Sequence, residues 1–274
     1  MRQKIALFIA ALLALATIAP VLAQDVPQEL LPNTRRLQGD SINVCIDDLS
    51  IGAPLDHAIA QALADALFLT PSFQRGPGGF GLDAQGYMEE MQIAMNNTCD
   101  LFMGVVLQPD STFPDWATVT RSYAQIPFVF VVADPAYTTL ADIPRDKFLG
   151  TALGSLGELR LITYISQLPE AEQWRRLPYA DPKLMLQRLK DGKLAGMYIW
   201  QPALLKVAPD LAAAGLKIIP TDPLPQVSVD IGALVSSRDS FFRSQIDDAI
   251  GALVADGTIA GLMTQQGIAG NAGP

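Results

Sequence analysis

The chain of 274 residues carries 19 Lys and Arg against 28 Asp and Glu, and half of its residues are hydrophobic. That length is enough for two lobes with cores of their own. A net charge of −9 without Lys/Arg clusters argues against nucleic acid and anionic membrane surfaces as partners, and leaves basic proteins as candidates.

The first residues read as an export signal. Arg2 and Lys4 form a basic end, Ile5 to Ile18 an apolar stretch, and Val21-Leu22-Ala23 a small-residue cleavage site before Gln24. The apolar run is shorter than the ~20 residues that a membrane span needs, and no Cys stands at the cleavage site to carry a lipid. Cleavage after residue 23 removes two positive charges and leaves 17 Lys and Arg against 28 Asp and Glu, a charge of −11. The expected product is a soluble periplasmic protein.

Residues 24–40, rich in Pro, Gln, Asn and Arg, read as a tether. Ser41 to Ile46 reads as the first strand, and Asp47-Asp-Leu-Ser-Ile-Gly-Ala-Pro54 as a loop at its carboxyl end, where α/β sheets place ligands. Leu55 to Leu69 is expected to be a helix with Ile59, Leu63, Ala66 and Leu67 on its apolar side. A short strand, Thr70 to Gln74, and a Gly-rich loop, Arg75 to Gly81, follow.

One pattern then occurs twice. Met88 to Val105 and Met185 to Trp200 each contain an amphipathic helix, a polar turn with Asn or Gly, and a strand too apolar to have a wet face. Such strands belong to parallel sheets covered by helices on both sides. Two αβ units about one small domain apart predict two similar α/β lobes. Gln108 to Trp116 reads as a polar loop. Ile126-Pro-Phe-Val-Phe-Val-Val132 is expected to cross between the lobes, and Val227 to Val235 to return. Between them lie a strand at Phe148 to Leu153, a helix opened by Gly154-Ser155-Leu156-Gly157, and a short strand within Trp174 to Tyr179. Helices at Ser240 to Val254 and Thr258 to Gln265 close the first lobe. The expected architecture is a two-lobed periplasmic binding fold: residues 41–131 with 227–274 as the first lobe and 132–226 as the second, each a mostly parallel sheet flanked by helices.

Catalytic constellations are thin. The only histidine is His57, so no His-based metal site can form. No phosphate-binding P-loop and no G-x-S-x-G is present. Asp47 and Asp48, followed by Leu49, either bind a cation or amine beside a cleft or form a solvated loop. Ser155 and Gly157 stand at a strand-to-helix turn that either holds an anion on its free amides or only caps the helix. Phe80, Tyr87, Phe113, Trp116, Tyr123, Tyr198 and Trp200 fall where a cleft wall is expected, with Tyr198 assigned to the core and Trp200 to the cleft. Cys45 and Cys99, on strands that neighbour each other in many doubly wound sheets, are either a disulfide or two buried thiols.

Taken together, Leu-Lys-Asp-Gly192-Lys-Leu-Ala195-Gly, Cys99-Asp-Leu-Phe-Met-Gly104-Val105 and Ala252-Leu-Val-Ala-Asp-Gly257-Thr-Ile resemble type II periplasmic solute-binding proteins of family 3. The resemblance implies two lobes joined by two crossing strands, with a ligand between them. Amino-acid-binding members have a Thr-x-x-Arg segment that clamps the ligand carboxylate. Here the corresponding Gln108 to Trp116 contains no Arg, and Trp200 stands where those members place an Asp for the ligand amine. A buried zwitterion would lose both charged partners, so amino-acid binding is not expected.

A subgroup is similar in further positions: Val44-Cys45, Gln74-Arg75-Gly76, Thr120-Arg121-Ser-Tyr123 and Trp200-Gln201-Pro202. It comprises the solute-binding-like accessory proteins of pyrroloquinoline-quinone alcohol (methanol) dehydrogenases. The usual Gly between Trp and Pro is Gln201 here. This resemblance implies a non-catalytic accessory without cofactor, docking a periplasmic quinoprotein dehydrogenase or its cytochrome c. The alternatives are an ABC-importer receptor for a small organic solute, partnered by its permease, and a dehydratase-type enzyme. A receptor that closes on its ligand is expected to bring Arg121, Ser155 and Gln201 together, and that reading fails if they point apart; an enzyme needs a titratable pair such as Asp47 and Asp48.

Overall fold

The computed structural model describes residues 39–76, 86–107 and 112–274. The export signal, nearly all of the tether, most of the Gly-rich loop with Phe80, and Gln108 to Ser111 lie outside the described residues. Among the described residues no helix is long and apolar enough to cross a membrane.

The first half of the fold is a sheet of β2 (Thr70–Arg75), β1 (Ser41–Ile46), β3 (Leu101–Leu107) and β10 (Ser228–Ser236). β1 runs parallel to both β2 and β3, and β10 antiparallel to β3. β1 is buried at every position from Ile42 to Ile46, as in a strand covered on both faces; its one buried polar side chain, Asn43, donates to Asp100 Oδ2 at 3.1 Å. Helix α1 (Ala53–Ala66) packs on it beside α6 (Ser240–Ala255) and α7 (Thr258–Gln265); α2 (Tyr87–Asn97) leads into β3. The second half is a sheet of β7 (Arg175–Tyr179), β6 (Phe148–Ala152) and β8 (Gly196–Trp200), all parallel, flanked by α3 (Leu156–Ser166) and α4 (Pro182–Lys190).

One strand joins the halves. β5 (Ala124–Val132) pairs with β10 from Ala124 to Pro127, and with β8 from Phe128 to Val131. The pairing partner therefore changes between Pro127 and Phe128. Proline removes one ladder donor at this point, and the Phe128 amide donates instead to the Val227 carbonyl at 2.8 Å, where the chain returns toward β10. The two crossing segments thus lie side by side. The structure shows the two-lobed α/β architecture.

Cys45 and Cys99 form a disulfide with Cα atoms 5.6 Å apart. It sits in a separate apolar cluster with Met91, Met95, Phe102, Val105 and Leu234. The αβ repeat is present in both lobes. Besides the 3-10 helices Leu140–Asp142 and Glu170–Glu172, four elements escape the sequence pattern: β4 (Ala117–Val119), β9 (Lys217–Ile219), β11 (Asn271–Ala272) and α5 (Gln201–Val207). The three strands are too short to display a period. α5 begins directly behind β8, with no turn residue between them to mark a start.

Candidate ligand cleft

The loop after β1 is a series of turns. Asp47 Oδ1 accepts from the Leu49 amide at 3.0 Å and the Ser50 amide donates to the Asp47 carbonyl at 2.8 Å, which is an Asx-type turn. Asp48 turns outward, with Oδ1 3.2 Å from His57 Nε2 and Oδ2 3.7 Å from Arg75 Nε. Leu49 is 73 % exposed at the loop tip. A cavity of about 500 Å³ opens between this loop and α5 of the second lobe. Asp48, Ser50 and His57 stand on one wall, Pro202, Leu205 and Lys206 on the other, and Gln266 and Ile268 close it from the C-terminal segment. Walls from both lobes are what a ligand cleft requires.

The C-terminal segment is tied to both sides of this cavity. Gln266 Nε2 donates to the Pro54 carbonyl of α1 at 3.1 Å, and the Ala269 amide donates to Gln201 Oε1 of α5 at 2.7 Å. Gln201 is buried and spent on that bond. Arg121 is committed elsewhere: its amide donates to Asp247 Oδ1 at 2.6 Å, and its guanidinium lies over α6. Ser155 caps α3, its Oγ accepting from the Glu158 amide at 3.1 Å. The expected convergence of Arg121, Ser155 and Gln201 is therefore not met, because each already serves a local or cross-element bond. None of the three lines the cavity.

The Gly154 turn has an internal anion. The Gly154 amide donates to Glu158 Oε2 at 2.6 Å, Thr151 Oγ1 donates to Oε1 at 2.9 Å, and Arg176 pairs with the same oxygen. The turn's anion chemistry is thus used in part by the chain's own carboxylate. Gly157 is buried against Phe128, where an added Cβ would lie 2.4 Å from the ring.

The aromatic residues do not form one wall. Tyr198 belongs to the main core, as expected, and so does Tyr123, which is fully buried. Phe113 and Trp116 pack around the disulfide cluster, and Val105 is buried there too. Tyr87 is half exposed at the start of α2; burial raises its hydroxyl pKa, with the nearby Asp47 charge adding to the effect. Trp200 does reach toward the other lobe: its Cη2 lies 3.7 Å from the position a Gly52 Cβ would take. Its Nε1 is buried without a hydrogen-bond partner among the described residues.

The functional group that the sequence reading missed is Asp56. It is 2 % exposed on α1, and the Tyr123 hydroxyl donates to its Oδ1 at 2.5 Å. The Gly104 amide in turn donates to Tyr123 Oη at 3.0 Å. Gly104 has φ +80°, and a Cβ there would lie 2.6 Å from Asp56 Oδ2, so only glycine lets the carboxylate approach β3. Burial pushes the Asp56 carboxyl up from 3.8 to about 6, against the opposing pull of the Tyr123 hydrogen bond and of His57. A signal existed: Asp56 shares the helix face of Ile59, Ala60 and Leu63, and an acid on an apolar stripe is unusual. Among the described residues no group of three or more His, Cys, Asp or Glu could hold a metal ion.

No family model and no curated protein matches the sequence. Solved structures do match its shape. The second substrate-binding domain of GlnP from Lactococcus lactis, in an open conformation, superposes with TM-score 0.65 at 13 % identity over 84 % of this chain and 97 % of that one. The L-cystine solute receptor of Neisseria gonorrhoeae, unliganded and open, gives 0.60 at 17 % identity over 87 % and 94 %. The arginine-, lysine- and histidine-binding protein ArtJ of Geobacillus stearothermophilus gives 0.53 at 14 % over 83 % and 95 %. At such identities the likeness carries the fold: this chain has the two-lobed, type II periplasmic binding protein fold.

Proposed function

We propose that this protein is an exported, non-catalytic receptor that holds a small organic solute between its lobes and delivers it to the permease of an ABC importer. The observation that carries this reading is the cavity of about 500 Å³, walled by the β1–α1 loop from one lobe and α5 from the other, beside a crossing strand whose pairing changes partner at Pro127–Phe128. Two lobes on such crossings can close on a ligand by hinge motion. Solved neighbours are substrate-binding domains and receptors of this shape, which supports the receptor reading.

A standard amino acid is not the proposed cargo. Arg121 is bound to α6, Glu158 takes up part of the anion turn, and Trp200 occupies the place of the amine-binding Asp. The accessory role in a quinoprotein dehydrogenase system rests on the motif resemblance alone, and neither the cavity nor the neighbours add to it. A dehydratase would need a free acid/base pair, whereas Asp47 holds its own turn and Asp48 pairs with His57 and Arg75.

The test is a thermal-shift screen of small organic solutes against the mature protein. A solute at a hundredfold excess over its Kd stabilises by about 2.7 kcal/mol. A shift that disappears in Leu205→Trp, which places a bulky ring in the wall of the cavity, supports the reading. A shift unaffected by that substitution, or none across amines, acids, sugars and neutral solutes, counts against it.

A further inference from the structure

Asp56 is an electrostatic anomaly. A carboxylate this deeply buried is costly unless it is paired or fully hydrogen-bonded. Asp56 has one hydrogen bond, from Tyr123 to Oδ1; among the described residues nothing donates to Oδ2 and no ion pair reaches it. Oδ2 points to a specific place. It lies 3.3 Å from the position of a Gly52 Cβ, and around the same point stand Trp200 Cη2 at 3.7 Å and Ser50 Oγ at 3.8 Å. Ser50 also lines the inter-lobe cavity, with its neighbours Ile51 and Ala53, whereas Gly52, Asp56 and Trp200 stand one layer behind that wall, so a group reaching this point enters from the cavity past Ser50. Trp200 comes from the second lobe, so a ligand group placed here would touch both lobes.

We infer that Asp56 Oδ2, the Ser50 hydroxyl and the Trp200 indole form a subsite for an ammonium group on an organic ligand that lacks a carboxylate. The inference rests on the receptor reading above and names the ligand class for it. The chemistry is complementary. An ammonium supplies the donors that Oδ2 lacks, and the Trp200 ring beside it shields the pair from water. Gly104 lets Oδ2 pack against β3 on one side, and on the loop side a side chain at Gly52 would crowd it.

Ionisation of Asp56 is then coupled to binding. The groups facing it are Gly104 from β3, Tyr123 from the segment that enters β5, Gly52 and Ser50 from the loop, Trp200 from β8, and His57 as the next residue on α1. Only the ionised carboxylate attracts a cation, so affinity for an amine rises as pH increases through the Asp56 range near 6.

The probes are benzylamine, benzyl alcohol and benzoate, which share a ring and differ in the head group, titrated calorimetrically into the mature protein. The expected result is that benzylamine binds, the other two bind at least tenfold more weakly, and benzylamine affinity rises about tenfold from pH 5 to pH 7.5. Asp56→Asn should abolish the preference and the pH dependence, Trp200→Ala should weaken binding, and His57→Gln should leave the pH profile in place. If Asp56→Asn does not fold, the Trp200→Ala and wild-type pH arms still decide. Equal binding of benzyl alcohol, or a pH profile removed by His57→Gln, overturns the ammonium subsite while the receptor reading stands. Binding of none of the three probes also overturns it, and leaves the receptor reading to the wider screen.

Discussion

The Tyr123 hydroxyl donates a 2.5 Å hydrogen bond to the buried carboxylate of Asp56, tying the segment that enters β5 to the first helix. Tyr123 is wholly buried and Asp56 nearly so, and 67 residues separate them in sequence. The bond joins the loop side of the cleft to the strand that crosses between the lobes.

Stability should fall as pH rises through the Asp56 range. In the unfolded chain the carboxyl titrates near 3.8, and in the fold at about 6. Between those values the native state binds more protons than the unfolded state, so the slope of unfolding free energy with pH is negative. The stabilisation is fully present below pH 3.8 and lost above about pH 6, a change on the order of 3 kcal/mol. Urea unfolding from pH 4 to pH 7 measures it, with Asp56→Asn as the reference that lacks this component. Tyr123→Phe should cost about 2 kcal/mol at pH 7 and less at pH 4, because a hydrogen bond to an ionised group is lost only at the higher pH. Equal slopes in wild type and Asp56→Asn would refute the assignment.

Glu158 should be the most sensitive polar residue of the second lobe. Its carboxylate accepts from Thr151 and Gly154 and pairs with Arg176. Glu158→Ala strands those three donors and should cost about 3 kcal/mol or more. Ser155→Ala removes only the helix cap and should cost about 1 kcal/mol. Equilibrium unfolding of the two variants would reverse this order if the carboxylate served only the cap.

Reduction of Cys45–Cys99 should destabilise the first lobe. The bridge spans a sequence separation of 54, for which the chain-entropy model gives about 4 kcal/mol. Urea midpoints with and without reductant, and in the Cys45→Ala/Cys99→Ala double variant, measure the effect. A shift under 1 kcal/mol would show that the surrounding apolar cluster holds β1 and β3 without the bond.

Phe68 is a local misfit whose correction should stabilise the protein. It ends α1 with φ +56° while its side chain is 93 % exposed. A left-handed conformation costs a non-glycine residue roughly 1–2 kcal/mol and the exposed ring contributes little burial in return. Phe68→Gly should gain about 0.5–1 kcal/mol, less than the strain because glycine also loosens the unfolded chain. A lower melting temperature for that variant would show that the ring packs usefully.

The sequence made the architecture legible where a period or an apolar run was long enough. The two αβ units, the crossing strand through Pro127 and the closing helices all follow from such patterns. The site was less legible because its bonds are made across the fold. Nothing near Arg121 announces Asp247, 126 residues away, and nothing near Gln201 announces Ala269, 68 residues away. Ser155 was read from a turn that suits an anion, and the competing carboxylate turned out to be Glu158, three residues on. Asp56 is masked by the apolar period of its helix, although an acid on that stripe is the informative exception.

The central claim is that a small molecule is held between the lobes, and native mass spectrometry of the protein purified from its own cells tests it most directly. The account predicts a population heavier than the bare chain by one small organic molecule, released on denaturation and absent in Leu205→Trp. A bare chain alone, with a quinoprotein dehydrogenase or its cytochrome c co-purifying in stoichiometric amount, would contradict the receptor reading and return the protein to the accessory role.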